Sequence, residues 1–82
     1  MKETVANLVN EEIKKLNVFV DDAYISEEHG KKIFYIFLDS EEVIDMKKIT
    51  AASRIINKIM DKHKEVLGDI DELDIFSKEK GE

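Results

Sequence analysis

The 82-residue chain contains no cysteine, no proline and no tryptophan, and only three glycines. Without cysteine there is neither a disulfide staple nor a thiolate metal site, so the fold must stand on its core alone. That absence, with the lack of an apolar leader, points to a reducing compartment, and a cytoplasmic location is expected. Long hydrophobic runs are missing too. The longest, I-F-Y-I-F-L at residues 33–38, has six residues, far short of the roughly 20 that span a bilayer, and no membrane partner is expected. So few glycines leave no phosphate-cradling loop. Basic residues are the minority charge: 13 Lys and Arg stand against 19 Asp and Glu, for a formal net charge of −6. Such a surface repels a phosphate backbone and disfavours free nucleic acid as a direct ligand. It suits basic proteins instead, of which ribosomal proteins are the most abundant.

What is present fits one domain, because a second core would need roughly 50 more residues. A domain this short buries only about 60% of the surface its unfolded chain exposes. Homodimerisation or docking on a partner would cover more. Val5, Leu8, Val9, Ile13 and Leu16 recur at spacings of three and four, which predicts a first helix over residues 2–16, stopped at Asn17. Residues 18–26 mix β-branched and aromatic side chains with Asp21 and Asp22 and read as a strand. Residues 27–30 make a turn ending in Gly30, and residues 31–39 form a second strand, too uniformly apolar to be exposed and so central or covered on both faces. Asp45 is placed to cap a second helix whose stripe is Ile49, Ala52, Ile56, Ile59, Met60 and His63, extended by Val66 and Leu67 and ended by Gly68. Residues 70–76 then alternate as a last strand with Leu73 and Ile75 inward. The expected fold is α+β in the order α-β-β-α-β: two helices on one face of a three-stranded mixed sheet. The domain covers residues 1–77, with residues 78–82 as a polar tail. Because the last strand returns through a helix, it should lie parallel to the second strand or reach past it.

No constellation of residues carries chemistry. His29 belongs to the turn and His63 to the helix stripe, with no ligand spacing between them. The D-I-D-E-L-D stretch at residues 69–74 lacks the glycine and the distal glutamate of a calcium loop and reads as a solvent-facing strand edge. Asp21 with Asp22, Glu27 with Glu28 and Glu41 with Glu42 are adjacent and point apart on a strand, unlike an acid/base pair. Ser40 and Ser53 have no histidine at a motif offset. Phe34, Tyr35 and Phe37 invite comparison with the base-stacking platform of RNA-binding modules, but their flanks are not basic and core packing is the expected use. The expectation is a protein without catalytic activity, metal or cofactor.

Several segments taken together resemble the N-terminal domain of the bacterial ribosome maturation factor RimP. In that family the hairpin reads like L-V-D-V-E-Y, a glycine-containing turn, and a strand closing in Y-I-D. The counterparts are F-V-D-D-A-Y at residues 19–24 and F-L-D at residues 37–39. The family's I-T-L-D-D-like helix start and V-S-R segment are matched by I-D-M-K-K at residues 44–48 and A-S-R at residues 52–54, in one gapless stretch from Phe37. Its L-E-V-S-S-P-G strand and turn is matched in part by L-D-I-F-S-K-E at residues 73–79, with Ser77 kept and the other serine, the proline and the glycine replaced. The resemblance covers nearly all of this sequence and about half of a family member, whose C-terminal β-barrel has no counterpart here. It implies a non-enzymatic factor that binds a small-subunit ribosomal protein or the immature small subunit. The partner-binding positions it implies are Asp21, Tyr24, Asp39, Ser53, Arg54 and Ser77, each with a structural use beside it: packing for Tyr24, a strand-end cap for Asp39, a helix-surface pair for Ser53 and Arg54, a turn hydroxyl for Ser77. The alternative is a regulatory or dimerisation module resembling the cytosolic domain of cation diffusion facilitators, whose histidine pattern is missing. A KH-type RNA-binding module would need a G-x-x-G loop, which this chain lacks.

Overall fold

The computed structural model describes residues 2–77. Helix α1 (Lys2–Ile13) passes into a single 3-10 turn, Lys14–Leu16, and stops where Asn17 takes a left-handed conformation at φ 60°. Strands β1 (Phe19–Glu28) and β2 (Lys31–Asp39) follow, then α2 (Met46–Lys62), a short α3 (Lys64–Leu67) and β3 (Glu72–Ser77). The order is α-β-β-α-β with two main helices, an α+β fold. Asp45 caps α2, its carboxylate accepting the Lys48 amide at 2.8 Å. At the far end His63, half-buried, breaks the helix with its amide on the Met60 carbonyl, so the stretch holding Val66 and Leu67 becomes the separate α3. Gly68, at φ 71°, ends that turn. The hairpin closes through His29 and Gly30 with φ values of 53° and 78°, the two left-handed residues of a tight turn whose twist matches its strands. The polar tail expected at residues 78–82 lies outside the described residues. Among the described residues no helix is long and apolar enough to cross a membrane.

The sheet order is β1-β2-β3, with β1 antiparallel to β2 and β3 parallel to it. Strand β2 is therefore central, and the last strand lies directly beside it. Its alternate residues Phe34, Ile36 and Leu38 are fully buried. In register with them stand Ile25, Ala23 and Val20 on β1 and Leu73 and Ile75 on β3. Val5, Val9 and Ile13 of α1 and Ala52, Ile56 and Met60 of α2 close on this face to form the core. A register shift between Val20 and Asp22 bulges β1 at Asp21, which keeps both Val20 and Ala23 inward although three positions separate them. Strand β2 is thus covered by helices on one face only, and its uniform apolarity has a second cause on the other.

Candidate functional site

The face of the sheet turned away from the helices bears a cluster of aromatic rings. Tyr24 comes from β1, Tyr35 and Phe37 from β2, and Phe76 from β3, so the cluster spans all three strands. Phe37 stacks on Tyr24 at 5.8 Å between centroids and on Phe76 at 5.5 Å, with planes 20° and 25° apart. Tyr35 meets Phe76 at 6.0 Å and Phe37 at 6.5 Å, both at 24°, and tilts 37° to Tyr24 at 5.3 Å. The pairing explains the contiguity, since Tyr24 stands opposite Tyr35 and Phe37 beside Phe76. Among the described residues no element covers these rings, and Tyr24 and Phe76 are 44% and 43% exposed. The rings form one contiguous, partly exposed aromatic surface on the side of the sheet opposite the helices.

The charges on that face are mostly acidic. Register puts Asp22 beside Phe37, Asp74 beside Tyr35 and Glu72 beside Ile33, while Lys31 stands opposite Glu28 at the hairpin end. The Tyr35 hydroxyl donates to the Glu28 carboxylate at 2.5 Å. That bond, followed by desolvation and the negative charges of Glu28 and Asp74, pushes the Tyr35 phenol up to about 12 from its ordinary 10.0. The raised value means that the folded chain holds this proton longer than the unfolded chain does. The contribution to stability is therefore complete below pH 10.0 and is lost as pH rises through about 12. Phenolate absorbance should show one of the two tyrosines ionising near pH 12, and Glu28→Ala should move that titration down towards 10.0.

No family model matches this chain, and no curated protein matches it. The site stands on its own geometry.

Of the positions singled out from the sequence, Tyr24 belongs to the ring cluster and Asp39 ends β2 on the same face, its carboxylate accepting the Ser40 amide at 2.7 Å. Asp21 is the half-buried bulge residue of β1. Ser53 and exposed Arg54 lie on α2, behind the sheet, where the Ser53 carbonyl accepts the side-chain Nδ2 of Asn57 at 2.8 Å. Ser77, exposed at the end of β3, is in register with Leu38 and so shares the helix-side parity. The six positions therefore do not form one surface. The expected core use of the β2 aromatics is also corrected in part: Phe34 is buried under the helices, whereas Tyr35 and Phe37 face outward. They alternate, as strand residues must.

A concavity opens away from that face, where the end of α1 meets the loop after β2, lined by Asn10, Lys14, Asn17, Phe19, Glu41 and Glu42. Buried Ser40 sits beneath it. Its hydroxyl donates to the Asn17 carbonyl and accepts the Glu42 amide at 3.1 Å, and Asn10 accepts the Val20 amide at 2.9 Å. These bonds tie the loop to the end of the sheet and engage the Ser40 hydroxyl on both sides. Among the described residues no three histidine or acidic side chains converge as metal ligands would.

Proposed function

We propose that this chain is a non-enzymatic ribosome assembly factor domain that binds the maturing small ribosomal subunit through protein contacts. The observation that carries the reading is the open face of the sheet: an aromatic cluster across all three strands, flanked by Asp22, Asp74 and Glu72. Aromatic rings supply large contact area at little cost in side-chain entropy, and the carboxylates beside them select a basic partner. Small-subunit ribosomal proteins are such partners. The resemblance of residues 19–24 and 37–54 to the N-terminal domain of RimP supports the same reading, and a cytoplasmic location follows from it. The chain should co-sediment with immature small subunits at low ionic strength and be released as salt rises, because charge pairs across a wet rim are screened. No retention at low salt overturns the proposal.

The exposed rings also favour a second reading, a module that pairs with its own copy through the sheet. Sedimentation velocity with and without zinc or manganese separates the two. A metal-dependent dimer would replace the ribosomal reading with a regulatory module resembling the cytosolic domain of cation diffusion facilitators.

A further inference from the structure

The open face is specific enough to name what lies on it. Resting on the ribosomal reading, we infer that the ring cluster binds an extended, arginine-bearing segment of the basic partner, with guanidinium groups stacked on the rings and paired to the flanking carboxylates.

Three features of the face lead there. The first is the stacking geometry. Tyr24, Phe37 and Phe76 form a row across the strands with ring planes within 20–25° of each neighbour, and the end rings Tyr24 and Phe76, on the two edge strands, each keep an outer π-face that the row does not stack. A π-face is electron-rich and attracts cations, and the planar guanidinium covers it better than the compact ammonium of lysine. The second is the placing of charge. Asp74 stands beside Tyr35 and Asp22 beside Phe37, one on each outer strand, with Glu72 two positions before Asp74. Arginines on the rings therefore find carboxylates on both outer strands, and a carboxylate pairs with a guanidinium through two parallel hydrogen bonds. Glu28 is engaged by the Tyr35 hydroxyl and ties that ring to the hairpin end of β1.

The third is size. Three strands about 4.8 Å apart, over some six residues each, make a face of roughly 14 by 20 Å, or about 300 Å². A stable dimer buries about 800 Å² on each partner, so a second copy would bring too little area and would bring its own acids against these. RNA also stacks bases on aromatic sheets, but its phosphates would meet Asp22, Glu72 and Asp74. One extended segment, contributing arginines at alternate positions, fits both the area and the charge.

The chain reports on its own binding, since it has no tryptophan and both tyrosines belong to the cluster. The full chain is titrated at low salt with a synthetic twelve-residue peptide alternating arginine with glycine and threonine, with its lysine counterpart, and with a twelve-nucleotide oligouridylate. Tyrosine emission and backbone amide shifts are followed together. The arginine peptide should change tyrosine emission and shift the amides of β1, β2 and β3, and the lysine peptide should bind about tenfold more weakly. Phe76→Ser should weaken the arginine peptide about tenfold. Asp74→Asn, which keeps the shape of the site, should weaken it about threefold and so preserves the test if the phenylalanine variant unfolds. The inference is overturned by equal binding of the two peptides with shifts scattered over the helices, by no binding at low salt, by preference for the oligouridylate, or by β-strand shifts that depend on protein concentration alone.

The two proposals fail separately. Peptide binding without retention on immature subunits would remove the ribosomal reading and leave the arginine site. Retention that survives Phe76→Ser and Asp74→Asn would do the reverse.

Discussion

Phe34→Ala should leave the chain largely unfolded at physiological temperature, while Phe37→Ala, three positions further along the same strand, should leave it folded. Phe34 is fully buried beneath α1 and α2 and is the largest side chain in the core. Removing such a ring costs about 3–5 kcal/mol, from lost transfer free energy and from the cavity left behind. A domain of this length has a total stability of about 4–12 kcal/mol, so one substitution consumes about a quarter of it at best and all of it at worst. The cavity cannot close easily, because Ile36, the next inward residue of the strand, is itself fully buried, and Ile25 and Leu73 on either side are held by the sheet register. Phe37 is different. It is only half-buried, contacts rings instead of helices, and its loss costs about 1 kcal/mol of ring contact. Urea unfolding followed by circular dichroism would read the contrast as a fall in midpoint of roughly 2–4 M for Phe34→Ala and under about 1 M for Phe37→Ala. If both variants unfold alike, the open face is part of the core and is not free to receive a partner.

The contrast also explains what was legible in the sequence. The main helix stripes, the Asp45 cap, the Asn17 stop and the bounds of β2 could be read directly, because each rests on local chemistry: 3.6-residue spacing, a side chain that accepts an amide, a residue that tolerates positive φ; the end of α2 could not, since the helix breaks at His63 and Gly68 closes only the short α3. The two faces of β2 could not. A half-exposed strand normally betrays itself by polar residues at every second position. Here the outward positions Tyr35 and Phe37 are aromatic, so the run at residues 33–38 shows no alternation and reads as core throughout. The signal lay on the neighbouring strands. Asp22, Tyr24 and Ser26 alternate with Ala23 and Ile25, and Asp74 separates Leu73 from Ile75, which marks one face of the sheet as wet. The bulge at Asp21 blurred the first of these patterns by shifting its phase. Ser53, Arg54 and Ser77 illustrate another limit. They match short segments of a family pattern, and segments adjacent in a pattern need not share a surface once helix and strand are packed back to back.

Reversing two charges on the open face should change the class of partner that the face accepts. In Asp22→Lys with Asp74→Lys, the ring cluster is untouched, since neither carboxylate contributes to the stacking of Tyr24, Tyr35, Phe37 and Phe76. The fold should persist too. Asp74 is in register with Tyr35 on the solvent face, and the one bond to Asp22 that is lost, its acceptance of the Ala23 amide at 2.8 Å, is local. The electrostatics, however, invert. Each reversal moves the formal charge, −6 in the native chain, by two units and places an ammonium where a guanidinium would have paired. Close charge pairs across an interface couple by about 1.5 kcal/mol or more, so losing two and gaining two repulsions should weaken an arginine-bearing partner by at least about 100-fold. Retention on immature small subunits through this face should disappear even at low salt. The same rings, now flanked by lysines, become a stacking platform with phosphate-neutralising neighbours, and single-stranded RNA should begin to bind with a salt dependence that the native chain does not show. Filter binding with oligouridylate and subunit co-sedimentation, run on the same preparations, would check both halves. If the reversed chain still binds immature subunits as the native one does, the acidic open face is not where the domain meets its partner, and the groove beside Phe19, Glu41 and Glu42 becomes the surface to mutate next.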